Sequence, residues 1–76
     1  MVRSPSEDQG VLIALGATLR SHREQVGLSQ EALANLSGLH RTYVGALERG
    51  ERNPSFLSLV KYASGLRLTV EEVIVS

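Results

Sequence analysis

The chain has 76 residues, no cysteine, and eight basic against eight acidic side chains, for a formal net charge of zero; 42% of its residues are hydrophobic. That is chain enough for one domain, too short to bury more than about 60% of the surface its unfolded form exposes, and with no disulfide or thiolate metal site to compensate, so self-association is expected. No apolar run reaches membrane-spanning length, and the short run Val11–Leu15 follows acidic rather than basic residues, unlike a secretory signal, so the chain reads as cytoplasmic.

Residues 1–6 are polar, contain Pro5, and are expected to fray. Ser6 before Glu7 and Asp8 reads as an N-cap followed by first-turn acids. A first helix is predicted from near Glu7 or Gly10 to Val26, with Leu12, Leu15, Leu19 and Val26 on one face. Gly16 inside it costs about 1 kcal/mol against alanine, which points to close packing there. Gly27 suits the left-handed residue that ends a helix, and Leu28 is expected in the core. Ser29 then caps a second helix running to about Leu36, with Glu31 near its positive end.

The stretch from Gln30 to Glu48 organises the chain. Leu33, Ala34 and Leu36 form an apolar stripe before Gly38; Leu39, Val44 and Leu47 form another after it. Neither segment is long enough to be helical alone, so each must bury its stripe against the other and against neighbours. Gly38 supplies the positive φ of the turn, and helix three covers about His40 to Arg49, stopping at Gly50. Two helices joined by a short glycine-containing turn describe a helix-turn-helix, whose second helix is free to enter a major groove.

Glu51-Arg52-Asn53-Pro54 is a turn. Ser55 caps helix four, whose predicted stripe is Phe56, Leu59, Val60 and Ala63, with Phe56 assigned to the core and Ser64-Gly65 ending the helix. Thr69 and Glu72 have the spacing of a capping box at the start of a short helix five that carries Val70, Val73 and Ile74. The last turn of that helix is β-branched and its state is open. The expected fold is all-α.

The charge distribution is uneven. Glu7, Asp8, Glu71 and Glu72 lie near the two ends; from Arg20 to Lys61 six bases face four acids, an excess of +2. That supports a local basic face with weak non-specific affinity for nucleic acid.

The run S-Q-E-A-L-A-N-L-S-G-L-H-R-T-Y-V-G-A-L-E-R-G, followed by R-N-P-S-F-L-S-L-V-K-Y-A, resembles the Cro/phage-repressor (XRE-type) helix-turn-helix family. The segment H-R-T-Y-V-G-A-L-E-R-G-E-R-N-P-S is especially similar to the controller proteins of restriction–modification systems. The resemblance spans about Leu12 to Ile74. It implies a compact five-helix, lambda-repressor-like domain that binds double-stranded operator DNA as a homodimer, with RNA polymerase blocked or recruited. No cofactor and no metal are expected.

Arg41 and Thr42 stand in the first turn of helix three, off the Val44/Leu47 stripe, where a recognition helix reaches base edges. Arginine can donate twice to guanine O6 and N7, and threonine can offer a hydroxyl or pack its methyl on thymine. Ala46, one turn on, is a third base-contact candidate; the bland reading of all three is a solvated surface. Tyr43 has two readings, a phosphate bond or packing at the domain edge, and so has His40, a helix cap or a phosphate contact. Gln30 opens helix two, where free amides attract anions, and the resemblance places it on a phosphate, with Ser29 its neighbour and cap. It also places Arg49, Arg52 and Asn53 near the DNA backbone, where contacts fix register but read no sequence.

The resemblance further implies that Arg23 of helix one pairs with Glu48 at the close of helix three, with Arg23 still able to face a phosphate. Tyr62, Leu66, Leu68, Val70, Val73 and Ile74 crowd the C-terminal part with more apolar surface than one small domain needs, and the family dimerises there. For Tyr62 the alternative is the rim of the core. Catalysis finds little support: His22 and His40 have no partners at metal-ligand spacing, and no phosphate loop or nucleophile elbow appears. Two other roles remain: an antitoxin or phage-repressor-like regulator of another operon, and an interaction module that has lost DNA binding.

Overall fold

Local chemistry sets most of the helix boundaries in the structure, a computed structural model that describes residues 5–75. Five helices follow one another: α1 Pro5–Val26, α2 Gln30–Ser37, α3 Arg41–Glu48, α4 Phe56–Gly65 and α5 Val70–Val75. There is no strand among the described residues. Of residues 1–6, expected to fray, residues 1–4 lie outside the described residues, while Pro5 and Ser6 are helical. Helix α1 begins at Pro5, so Ser6 lies inside the helix and is not its cap.

The other predicted N-caps, at Ser29, Ser55 and Thr69, form. Ser29 Oγ accepts from Ala32 N at 3.0 Å and Ser55 Oγ from Ser58 N at 3.0 Å. At α5, Thr69 N donates to Glu72 Oε1 at 2.9 Å while Glu72 N donates to Thr69 Oγ1 at 3.1 Å, the reciprocal capping box. That start carries the helix through its β-branched residues to Val75. Gly38 sits at φ 77°, and its N–H satisfies Ala34 O at 3.0 Å, turning the chain from α2 into α3.

Helix α4 ends differently from expectation. Gly65 is helical, and the left-handed residue is Arg67 at φ 60°. Arg67 N donates to Ser64 O and Leu68 N to Ala63 O, both at 2.9 Å, the bond pattern of a Schellman ending without its usual glycine. Gly65 serves packing instead: a Cβ there would stand 2.6 Å from Leu33 Cδ1. Gly16 is also a close approach, as its place in mid-helix suggested. A Cβ on it would meet Glu48 O at 2.5 Å and lie still nearer Leu47 O, so α1 and the end of α3 touch backbone to backbone.

The core is Leu19, Leu33, Ala34, Val44, Leu47, Tyr62, Ala63, Leu66 and Val73, with Leu15, Leu28 and Leu39 packed against it. Four apolar assignments are corrected. Phe56 is 70% exposed and Leu36 63%, and Val26 and Val60 also face outward. The inward stripe of α4 is Leu59, Tyr62, Ala63 and Leu66, spaced by three, four and seven. Phe56 and Val60 lie on a second apolar face of the same helix. Val26 ends α1 next to the left-handed Gly27, where the chain turns away.

Candidate nucleic-acid interface

Helix α3 divides its eight residues between two tasks. Val44 and Leu47 are fully buried against α1 and α2, and Glu48 is buried with them. Gly45 is buried too, and Tyr43 is half-buried. Arg41 and Thr42 are exposed and Ala46 is half-buried, so the three base-contact candidates share the outward side. His40 caps the helix, its Nδ1 accepting from Thr42 N at 3.1 Å. Arg41 Nη1 lies 4.0 Å from Glu31 Oε2 with both side chains largely exposed, a loose pair that leaves the guanidinium accessible.

Glu48 is the hub that fixes the angle of α3. Its Oε2 accepts from Arg23 Nε at 2.7 Å and from Tyr62 Oη at 2.6 Å; its Oε1 accepts from Arg23 Nη2 at 2.9 Å and from Gln30 Nε2 at 3.1 Å. Arg23 Nη1 donates to Leu28 O at 2.7 Å, closing the α1–α2 corner. One carboxylate thus joins α1, α2, α3 and α4. Burial pushes the Glu48 carboxyl up, but the bonds from Arg23, Tyr62 and Gln30 together outweigh it and hold the group below its ordinary range. Burial and donation to Glu48 push the Tyr62 hydroxyl far above its ordinary value. Its one proton lies between Glu48 Oε2 and Leu19 O at 3.0 Å; the charge-assisted bond to the carboxylate is the shorter. Among the described residues no buried side-chain polar atom lacks a partner.

This hub alters several expectations. Arg23 is 8% exposed with its fork on Glu48, so it is not available to a phosphate. The Gln30 side chain points to Glu48, leaving the start of α2 to present backbone N–H groups. Tyr62 is completely buried, and Leu66 and Val73 are at most 5% exposed. All three are core residues of the chain itself and are corrected as interface residues. Of the apolar C-terminal set, Leu68 and Val70 are half-buried and Ile74 is exposed. Phe56, Leu57, Val60 and Val75 add exposed apolar surface that sequence reasoning missed. Phe56, Val60, Leu68 and Val70 line one depression between α4 and α5, edged by Arg67, Glu71 and Glu72.

A second depression lies beside α3, lined by His40, Thr42, Tyr43, Ala46, Arg49, Glu51 and Arg52. Tyr43 is half-buried. Its hydroxyl donates to Ser58 Oγ at 3.2 Å, and the Arg52 guanidinium lies over its ring, 5.7 Å from the centroid. Tyr43 thus packs at the domain edge beside this depression, the second of its two readings. Arg49 is engaged by a residue the sequence did not flag: its Nε donates to Glu51 Oε2 at 2.8 Å and its Nη2 to Glu51 Oε1 at 3.2 Å. Asn53 is exposed in the α3–α4 turn. No group of three or more His, Cys, Asp or Glu side chains that could hold a metal occurs among the described residues, and no described helix is long and apolar enough to cross a membrane.

Known proteins are similar to this chain in sequence and in fold. The chain is 45% identical over 60 residues to the control protein C.SmaI of Serratia marcescens, covering 79% of this chain and 71% of that one. It is 39% identical over 64 residues to the control protein C.MunI of a Mycoplasma species, covering 83% and 86%. The crystal structure of the restriction-modification controller protein C.AhdI from Aeromonas hydrophila superposes with a TM-score of 0.82 at 46% identity, over 86% of this chain and 98% of that one. Residues 19–73, from the core leucine of α1 to the buried valine of α5, match the family model described as Helix-turn-helix (HTH_3), and the chain belongs to that family.

Proposed function

We propose that this protein is a sequence-specific transcriptional regulator that binds a pseudo-palindromic operator as a homodimer in the cytoplasm and acts as the controller of a restriction–modification system. One observation carries the DNA-binding reading: a helix held at a fixed angle by a buried four-helix hub turns Arg41, Thr42 and Ala46 outward together. In that reading the first turn of α3 reads base edges in the major groove. Tyr43, Arg52 and Asn53 meet phosphates, as do the backbone amides that Ser29 and Gln30 carry at the start of α2. Ser29 and His40 act mainly as caps.

The second copy docks on the apolar surface of α4 and α5, through Leu68, Val70 and Ile74 with Phe56 and Val60. A two-fold pair places two recognition helices about one DNA turn apart. Occupancy then blocks RNA polymerase or recruits it, according to operator position. The controller role is supported by the likeness to C.SmaI, C.MunI and C.AhdI.

The test is a titration against the DNA upstream of the protein's own gene and against random duplex, with sedimentation run alongside. Tight binding to the first, weak binding to the second and a dimer at micromolar concentration are expected. Indifference to both duplexes refutes the reading. Arg41→Ala is expected to lose about 1–3 kcal/mol on the cognate site and to relax one base preference.

A further inference from the structure

We propose that Arg49 reads a guanine edge at the far end of the recognition stripe and that Glu51 is the positioning residue that aims it. This rests on the DNA-binding reading above. Thr42, Ala46 and Arg49 are spaced by four and three, so they follow one another along one face of α3 and its C-cap. The Arg49 side chain folds back toward the helix N-terminus: a Cβ on Gly45 would stand 3.0 Å from its Nη1. The guanidinium therefore lies beside the middle of the recognition helix rather than beyond its end, and the bare backbone at Gly45 leaves it that room.

Glu51 occupies one edge of the guanidinium, bonding Nε at 2.8 Å and Nη2 at 3.2 Å. Among the described residues nothing bonds the remaining edge, formed by Nη1 and the second Nη2 proton. That free fork is the one that matches guanine O6 and N7. An ion pair whose side chains are 57% and 56% exposed adds little to folding. Its effect is to hold a long side chain in one pose before DNA arrives, which lowers the ordering cost of docking.

The carboxylate also selects the kind of ligand. A phosphate on this guanidinium would bring a full negative charge beside Glu51, whereas a guanine edge brings uncharged acceptors. Arg52, which among the described residues has no carboxylate partner, lies across the same depression and suits a phosphate. The two arginines of one loop thus divide between base and backbone.

The test uses the whole chain and a library of randomised duplexes, from which retained sequences are read, with affinity then followed against salt. Wild type is expected to specify a guanine that Arg49→Ala no longer specifies, losing about 5- to 100-fold on the preferred duplex with an unchanged salt slope. Glu51→Ala is expected to blur the same position, to bind unrelated duplexes more tightly, and to steepen the slope by about 1, because the freed guanidinium reaches a phosphate. Both side chains are exposed, so melting temperatures near wild type are expected. If Arg49→Ala keeps every base preference and lowers the slope by about 1, Arg49 is a phosphate contact and the proposal fails. It also fails if Glu51→Ala changes neither preference nor slope. Wild type retaining no duplex at all would overturn DNA binding itself, a result distinct from both.

Discussion

Replacing Glu48 by glutamine removes a charge while keeping nearly the same shape, and the hub predicts that this shape does not suffice. Each carboxylate oxygen accepts two bonds, Oε1 from Arg23 and Gln30, Oε2 from Arg23 and Tyr62. Whichever oxygen the new amide nitrogen replaced, it would face two donors. The substitution therefore leaves Arg23 without its counter-charge, at 8% exposure, and orphans a buried donor besides. A hydrogen bond to a charged group is worth about 1.5–3 kcal/mol, and breaking a buried pair costs about 3–5. We expect Glu48→Gln to cost about 3 kcal/mol. A 76-residue domain has roughly 4–11 kcal/mol in all. With a urea dependence of about 1 kcal/mol/M, the midpoint should fall by about 3 M at fixed protein concentration.

Acid gives a second readout. The folded-state value of Glu48 is lowered from an ordinary one near 4.5. Its contribution is fully present above about pH 4.5 and is lost as pH falls through the lower folded value. The gap between wild type and Glu48→Gln should therefore narrow below pH 4.5. A loss under about 1 kcal/mol at neutral pH, or a gap that does not change with acid, would refute the hub.

Three other outcomes follow from particular contacts. Gly16→Ala forces a methyl into the Leu47 and Glu48 carbonyls and should cost about 2 kcal/mol by thermal or urea unfolding, although alanine is the better helix former. Arg67→Gly relieves a left-handed arginine and should stabilise by about 0.5–1 kcal/mol, seen as a raised melting temperature. Arg52→Ala should weaken binding to all duplexes alike and lower the salt slope by about 1; an unaltered slope would show that Arg52 touches no phosphate.

The helix-turn-helix was legible because its signals are local. Ser29, Gly38, Ser55 and the Thr69–Glu72 box each act over a few residues and each forms as read. The Arg23–Glu48 pair was reachable only through resemblance, since 25 residues separate its partners. Helix α4 defeated the periodicity argument because it is apolar on two faces. Phe56-Val60-Ala63 and Leu59-Tyr62-Ala63-Leu66 are both helical stripes, and the placement of the neighbouring helices, α2 foremost, decides which one is covered. For Tyr62 the sequence leaves both the core rim and a dimer contact open, because a buried phenol needs an acceptor, and that acceptor comes from another helix. Glu51 was read as a turn residue; its grip on Arg49 depends on the geometry that follows Gly50, which the spacing of charges does not encode.

The split circumference of α3 has a consequence for how such a regulator changes its target. The groups that keep the domain folded and the exposed groups that the proposed reading offers to DNA alternate along one short helix and do not overlap. On that reading, retargeting to a new operator can proceed by exchanging the exposed side chains at 41, 42 and 49 with little penalty to the domain, while positions 44, 47 and 48 stay put.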